Sequence, residues 1–571
     1  MFLRKAMNKK TGRTYLSIVH SYRDKEAKTT RSTVIKSIGY LDELQNDYDD
    51  PIAYFAAEAK AMEEQRLKDN ASYSFSINKS ETLQVGTDNY KNFGHAALSR
   101  IYHELELHTF FTHKQRHSNE AYDADTILKM MVYSRLLFPA SKKNNFENRH
   151  RFFEKEDFSL DDVYRSLSFF NKHKESLMLW INDKIKQSYG RDTSLVYYDV
   201  TNYYFETDIS DDDFKKKGVS KEHRPNPIVQ MGLFIDNNGL PITYQLFPGN
   251  TNDCLTFRPN LKKIKLDYEL GKVVVVADKG MTTGDNIWYT LSGGNGYVFS
   301  MSVRGADKEL KDYVLNENGY EWLGSEYKRK SRPYPRTIQV TSVTGKKLKK
   351  TVHEKQVIFY SEKYDKRAKA ERIATLAKAY DLASHPGKYT QATSYGASKY
   401  IKKIDFDKET GEILKASSNL EIDEKKLQEE EALDGYYAII TSEMNETDDR
   451  IIEMYRGLWR IEESFRVTKS DLEARPVYVS TREHIEAHFL TCFIALVIAR
   501  ILEMKTEHKY SITKLLESLT RANCMYVKEN LYLFGFYDEV LKDIGEKTGI
   551  DFSKQILSLA EIKKILANTK K

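Results

Sequence analysis

The run Val273–Asp278, read VVVVAD, constrains the fold more than any other stretch of the chain. Four valines and an alanine with no polar alternation suit a strand covered on both faces, the position of a central strand in a helix-flanked sheet. Its neighbours agree. Ser194–Glu206 (SLVYYDVTNYYFE) is β-branched and aromatic, with Asp199 inside it. IVQMGLFID and NGLPITYQLFP follow as two more strand-like runs, and Asn237-Asn238-Gly239 supplies a turn between antiparallel neighbours. Phe257–Leu266 has a helical pattern and leads into Val273–Asp278. A helix from Thr283 to Ser292 and a strand over Gly296–Ser302 come next.

Three antiparallel strands followed by helix-connected strands are the order of a ribonuclease-H-like α/β fold. Acidic residues in that arrangement gather on neighbouring strands at one end of the sheet, where Asp199 and Asp278 fall. Taken alone, VVVVAD also suits the acidic strand of a P-loop nucleotidase, but that fold needs an earlier G-x-x-x-x-G-K-[ST], which the chain lacks. Asp199 taken alone could simply end a strand.

A third acid lies in Tyr455–Lys469 (YRGLWRIEESFRVTK), which reads as one helix. Positions seven apart return to one helical face, so Tyr455, Glu462 and Lys469 form a stripe, with Arg466 one turn from Glu462. Trp459 and Phe465 flank the stripe and suit packing on a core. Mixed charges of this kind also suit a plain solvated edge. With Asp199 and Asp278 added, Glu462 completes a set of three carboxylates, which are hard oxygen ligands for a divalent metal.

At 571 residues the chain is too long for one ordinary core and predicts several domains. A hydrophobic fraction of 40% and an aromatic fraction of 12% describe a folded protein. Cys254, Cys492 and Cys524 are far apart and form no C-x-x-C pair, which argues against a zinc finger or disulfide framework and suits a reducing cytoplasm. No signal-peptide run opens the chain, and the apolar run Phe489–Ala499 is too short to span a bilayer, so a soluble protein is expected.

Net charge is only +6, so local clustering matters more than the total. Residues 1–40 hold ten Lys or Arg against Asp24 and Glu26; β-like runs at Thr14–Tyr22 and Ser32–Ile38 flank the polar segment Arg23–Arg31. A basic hairpin that contacts phosphates, or a merely solvated basic surface, fits this pattern. A helix follows over residues 50–68. Residues 92–190 are helical in pattern, with a basic, amide-rich connector at Ser141–Arg151; both a DNA-binding module and a plain linker fit. Residues 328–355 hold ten Lys or Arg against Glu354 alone, interleaved with Tyr327, Tyr334, Val340 and Val343, and read as basic β-hairpins suited to a nucleic-acid backbone. A hairpin at Lys408–Gly411, a surface helix, the strand Tyr436–Thr441, a long apolar helix over 482–506 and a helical tail over 511–571 complete the reading.

Asp199, Asp278 and Glu462 resemble the D-D-E triad of bacterial insertion-sequence transposases. The helix is similar to the Y-x2-R-x3-E-x6-K signature of the insertion-sequence-four superfamily at Tyr455, Glu462 and Lys469. It departs at the arginine position, which is Leu458; Arg466 is the expected replacement, since Arg456 and Arg460 point elsewhere. GNTND (Gly249–Asp253), ADKGM (Ala277–Met281), DGYYAIITS (Asp434–Ser442) and the N-terminal pattern GRTYLSIV…SIGYLDEL also resemble that superfamily, most closely its branch usually called the sixteen-thirty-four type.

The resemblance implies a ribonuclease-H-like catalytic domain (191–302 and 434–506) interrupted by a basic, mainly β insertion (303–433). A basic N-terminal hairpin plus helix (1–90), a helical DNA-binding region (91–190) and a helical C-terminal region (507–571) surround it. It implies two Mg²⁺ ions held by Asp199, Asp278 and Glu462, with Mn²⁺ able to substitute, and phosphate contacts from Tyr455, Arg466 and Lys469. It implies cutting at terminal inverted repeats of double-stranded DNA, joining of the 3′-OH ends to a target, and a homodimer on paired ends in a bacterial, nucleoid-associated setting. Trp322, the insertion's sole tryptophan, is the candidate for stacking on a flipped base, beside its alternative as a core aromatic. A nuclease of the same fold that cuts without joining, and an inactive DNA-binding relative, are the competing expectations.

Overall fold

The computed structural model describes residues 1–571 except 10, 24–29, 70–79, 81, 117, 211–212, 223, 269, 390–393, 395 and 403–420. The hairpin expected at Lys408–Gly411 and the middle of Arg23–Arg31 lie outside the described residues. Two compact units divide the chain, Met1–Asp88 and Asn89–Lys571.

The first unit is a three-stranded antiparallel sheet, β1 (Phe2–Met7), β2 (Thr14–Arg23) and β3 (Thr30–Tyr40), followed by the helix Pro51–Asp69. β1 was not legible in the sequence. Its side chains are mostly exposed, so it is held by backbone pairing to β2 and carries no apolar alternation. Two register shifts between β2 and β3 each place an extra residue on β3, and Leu16, Ile18 and Val19 of β2 are buried.

The second unit holds β4 (Tyr90–Asn92), β5 (Leu195–Tyr204), β6 (Ile228–Asp236), β7 (Pro241–Pro248), β8 (Val274–Ala277), β9 (Gly296–Met301), β10 (Glu321–Trp322), β11 (Tyr327–Thr341), β12 (Lys347–Ser361), β13 (Tyr436–Thr441), β14 (Asn523–Tyr526), β15 (Leu531–Phe534) and β16 (Ile556–Ser558). Nine of these strands form one sheet in the order β10-β11-β12-β13-β9-β8-β5-β6-β7. β5, β6 and β7 are an antiparallel meander, β5 pairs with β8 in parallel and β8 with β9 in parallel, and the remaining pairs are antiparallel. The basic segment expected as a separate β insertion therefore continues the central sheet, because β12 pairs with β13 and β13 with β9. It also carries a long helix, Glu362–Ser384. The expected helical tail differs as well: β14, β15 and β16 form a four-stranded sheet with β4, whose order is β16-β15-β14-β4.

The strands alternate between two cores, as a period of two requires. Val196, Tyr198, Val200, Val275 and Ala277 face the helices Asp253–Asp267 and Gly284–Ser292, which contribute Phe257, Leu261 and Ile287. Tyr197, Tyr203, Val276 and Val298 face the other core, built on the helices Ala124–Leu137, Leu160–Ser188 and Arg482–Lys505. Arg482–Lys505 has the length and apolarity to cross a membrane, but 94% of its apolar window is buried inside the protein, where it serves as the central core helix.

Tyr455–Lys469 is not the single helix expected. It comprises the helix Asp448–Arg456, a tight turn at Gly457-Leu458, the helix Trp459–Arg466 and a π-helical turn over Val467–Asp471. The Leu458 N–H donates to Tyr455 O at 3.0 Å, three residues back, and the Leu472 N–H donates to Val467 O at 2.9 Å, five residues back. Both steps shift the helical phase, so a spacing of seven along one straight helix is not what relates Tyr455, Glu462 and Lys469. The first step sits where the chain packs on β5: a Cβ at Gly457 would collide with the Tyr197 hydroxyl. Gly457→Ala is expected to lower stability by about 1–3 kcal/mol, read as a fall in thermal midpoint. An unchanged midpoint would mean that the Tyr197 ring yields freely.

Candidate active site

The site is built from strand register. Tyr198 of β5 stands opposite Ala277 at the end of β8, and Ala277 opposite Phe299 of β9, in parallel alignment. One residue further along each chain come Asp199, Asp278 and Ser300, so the three occupy one row on the Tyr197 face of the sheet. Ser300 Oγ donates to Asp278 Oδ1 at 2.7 Å. Tyr455 lines the same cleft as Asp278 and Ser300. Glu462 lies on the Trp459–Arg466 helix, near enough for Asp278 to act on its charge.

The electrostatics are those of carboxylates lacking sufficient counter-charge. Burial pushes the Asp199 carboxyl up to about 6; Asp278 and Asp253 add to the rise, while Lys221 and the Val200 N–H oppose it. Glu462 is raised by desolvation and then by Asp278, with Arg367 opposing. Burial also raises the Tyr455 phenol, so it stays protonated. The Lys469 ammonium is brought down to about 8 by desolvation and by Lys221, with Asp199 opposing. Asp199, Asp278, Glu462, Tyr455 and Lys469 thus converge on one region. The three acids are not drawn tightly together: among the described residues, no three His, Cys, Asp or Glu side chains are grouped closely enough to hold a metal ion.

Two expected residues are not brought to the acids. Arg466 belongs to the Glu463 side of its helix, where it pairs with Asp471 at 3.0 Å and with Glu463 at 3.8 Å and bonds Thr513 Oγ1. One turn of helix separates it from Glu462 in sequence, but its partners hold it away from that carboxylate. Trp322 lies on β10, the far edge of the sheet, 52% exposed, with Lys328 Nζ 5.0 Å over its ring. Four strands separate β10 from β8, which at about 4.8 Å per strand is about 24 Å from Asp278. The basic run of residues 328–355 is also only partly a surface. Lys328 is buried and bonds Glu317 at 2.6 Å, Lys330 is buried against the Tyr313 and Asn316 carbonyls, and Lys346, Lys347 and Lys349 near the hairpin tip are exposed.

Several residues of the site carried no sequence signal. Ser300 ends a plain β run and acquires its place only by register. Lys221 stands 3.9 Å from Asp253, the last residue of the GNTND segment, and both act on the charge of Asp199. Glu222 pairs with Lys469 at 3.2 Å and also with Arg475. Arg367, on the Glu362–Ser384 helix, lines a cleft of about 320 Å³ together with Asp278, Lys279, Ser300 and Tyr455.

Comparison with known proteins places residues 198–498 in the family described as the transposase DDE domain, and residues 3–72 in the IS1634 family transposase, N-terminal domain. No curated protein matches the chain. Among solved structures, a piggyBac transposase synaptic complex with hairpin DNA is similar at 7% identity, with 84% of each chain covered and a TM-score of 0.32. A Mos1 transposase paired-end complex with left transposon end is similar at 13% identity over 42% of this chain and 66% of that one, with a TM-score of 0.14.

Proposed function

Because the chain belongs to the DDE transposase family and carries an IS1634-type N-terminal domain, it is a DNA transposase, and we propose that it cuts at the terminal inverted repeats of its element and joins the freed 3′-OH ends to target DNA. The observation that carries the detail is the row of Asp199, Asp278 and Ser300 on adjacent strands, with Glu462 near enough for Asp278 to act on its charge. The strand order β7-β6-β5-β8-β9, an antiparallel meander followed by two parallel strands, supports a ribonuclease-H-like arrangement of this part. The other parts are assigned as a DNA-contacting N-terminal unit (1–90), a helical region (91–190), a basic segment (303–433) whose strands extend the central sheet, and a C-terminal region (507–571).

DDE transposases use divalent metals. Asp199, Asp278 and Glu462 are the residues that would hold two Mg²⁺ ions, or Mn²⁺ in their place. The donor set fits: carboxylates are hard ligands, and a desolvated Asp199 raised to about 6 is a group that gains from an added cation. Such ions supply the charge that activates a water or 3′-hydroxyl and steadies the leaving oxygen. The chain supplies position. Ser300 donates to one oxygen of Asp278, so the Asp278 carboxylate is oriented before DNA arrives. Lys469, brought down to about 8 by desolvation and by Lys221, gains charge when an added phosphate offsets that repulsion. DNA is double-stranded element end and target, the working form is a homodimer on paired ends, and the setting is the bacterial nucleoid.

Purified protein with Mg²⁺ and linear DNA bearing the element ends tests this reading. Specific 3′-OH ends that join a target plasmid are expected. Cutting without joining would assign a nuclease instead, and binding without cutting in either metal would overturn the chemistry assigned to the acids.

Glu222 holds Lys469 and Arg475 as a phosphate would. Glu222→Gln is therefore expected to tighten DNA binding by about fivefold, roughly 1 kcal/mol for one partly exposed charge. Fluorescence anisotropy at fixed salt measures it. An unchanged affinity would restrict Glu222 to a structural role.

A further inference from the structure

The cleft beside Asp278 has two walls of different origin. One is the sheet end, with Asp278, Lys279, Ser300 and Tyr455; the other is the Glu362–Ser384 helix, with Tyr364, Arg367 and Glu371. Leu458, by contrast, is buried in the core and presents nothing to this cleft. Of the cations lining it, Arg304 is already committed to the buried carboxylate of Asp434 at 2.7 Å, a carboxylate that Arg372 also holds. Lys279 is a point charge on the strand end. Arg367 is different. Its side chain is 77% exposed, and its ion pair is with Glu371 one turn away at 2.8 Å, itself 65% exposed. A solvated pair at this spacing contributes little stability and is readily exchanged. Its guanidinium also acts on the charge of Glu462, which lies outside the cleft lining.

We propose that Arg367 exchanges Glu371 for a phosphodiester of the bound DNA strand and clamps that phosphate in the cleft beside Asp278. The planar guanidinium offers two parallel N–H donors to one phosphate, which a lysine cannot reproduce. The clamp would orient the strand for in-line attack, and its helix closes the site from a segment distant in sequence from all three acids. The inference rests on the transposase reading above.

The test uses the full-length protein, Mg²⁺ and element-end duplexes, unmodified or carrying a single uncharged methylphosphonate at each position flanking the cut. Arg367→Gln is expected to slow cleavage about 100-fold at an unchanged thermal midpoint, and Arg367→Lys to restore only part of it. One methylphosphonate position should slow wild type by a similar factor and slow Arg367→Gln no further, while Glu371→Gln cuts at or above the wild-type rate. Wild-type cleavage by Arg367→Gln would overturn the clamp and leave the transposase reading intact. So would losses that multiply at every modified position, or a wild type indifferent to all of them. Failure of wild type to cut unmodified DNA would overturn the transposase reading and the clamp with it.

Discussion

Asp278→Ala is expected to abolish DNA cleavage at element ends, a fall of at least about 10³-fold in rate, with the fold and the affinity for DNA retained. Asp278 is the hub of the site. It lies in the row between Asp199 and Ser300, receives the Ser300 hydroxyl at 2.7 Å, and acts on the charges of both Asp199 and Glu462. Removing it takes a ligand oxygen from any cation held there and leaves the other two acids without a shared partner. It removes no core packing, because the side chain stands beyond the end of β8 and is half-buried. Single-turnover cleavage on end-labelled duplex, beside an anisotropy titration, separates these effects. Residual cutting within tenfold of wild type would exclude Asp278 from the reacting centre.

Asp199→Asn is expected to stabilise the metal-free protein at pH 7.5 by about 2 kcal/mol while abolishing its stabilisation by Mn²⁺. The folded Asp199 carboxyl titrates near 6, above its ordinary 3.8, because burial and the neighbouring carboxylates disfavour its charge. Between those values the folded state holds a proton that the unfolded chain has released. Stability from this group is therefore present below about pH 4, is lost as pH rises to about 6, and is not regained above it. An amide carries no charge to desolvate, so the variant lacks this loss. Binding of a cation to the folded state alone reverses the balance in wild type, by about 2.7 kcal/mol at a hundred times its dissociation constant. Thermal melts across pH 4 to 8, with chelator and then with Mn²⁺, measure both. Equal stability of the two proteins in chelator, or an equal Mn²⁺ shift in both, would remove Asp199 from the metal site.

Local pattern made much of this protein legible. The apolar runs of β5, β6, β7 and β8, the turn at Asn237-Asn238-Gly239 and the apolar helix Arg482–Lys505 are each written in a few consecutive residues. Strand-end acids are legible for the same reason, since Asp278 interrupts a valine run that has no other polar residue. Other features were not. β1, β14, β15 and β16 are short, and β1 is mostly exposed, so pairing to a distant partner defines them more than composition does. The joining of the basic β11–β12 hairpin to the central sheet depends on β13, some eighty residues further along the chain.

The Tyr455 segment draws the boundary most sharply. Its residues give helix throughout, and a helix alone predicts a stripe of Tyr455, Glu462 and Lys469 with Arg466 beside them. Packing against Tyr197 tightens the chain at Gly457, the π turn after Arg466 brings Asp471 to that arginine, and the cleft receives Arg367 from another helix. The sequence by itself determined which strands exist and where their acids stand, because backbone periodicity and burial are local consequences of side-chain type. Only the tertiary structure decided which charges meet those acids. A side chain's direction depends on helical phase, on strand register and on neighbours far away in the chain, and none of these is encoded within a single turn.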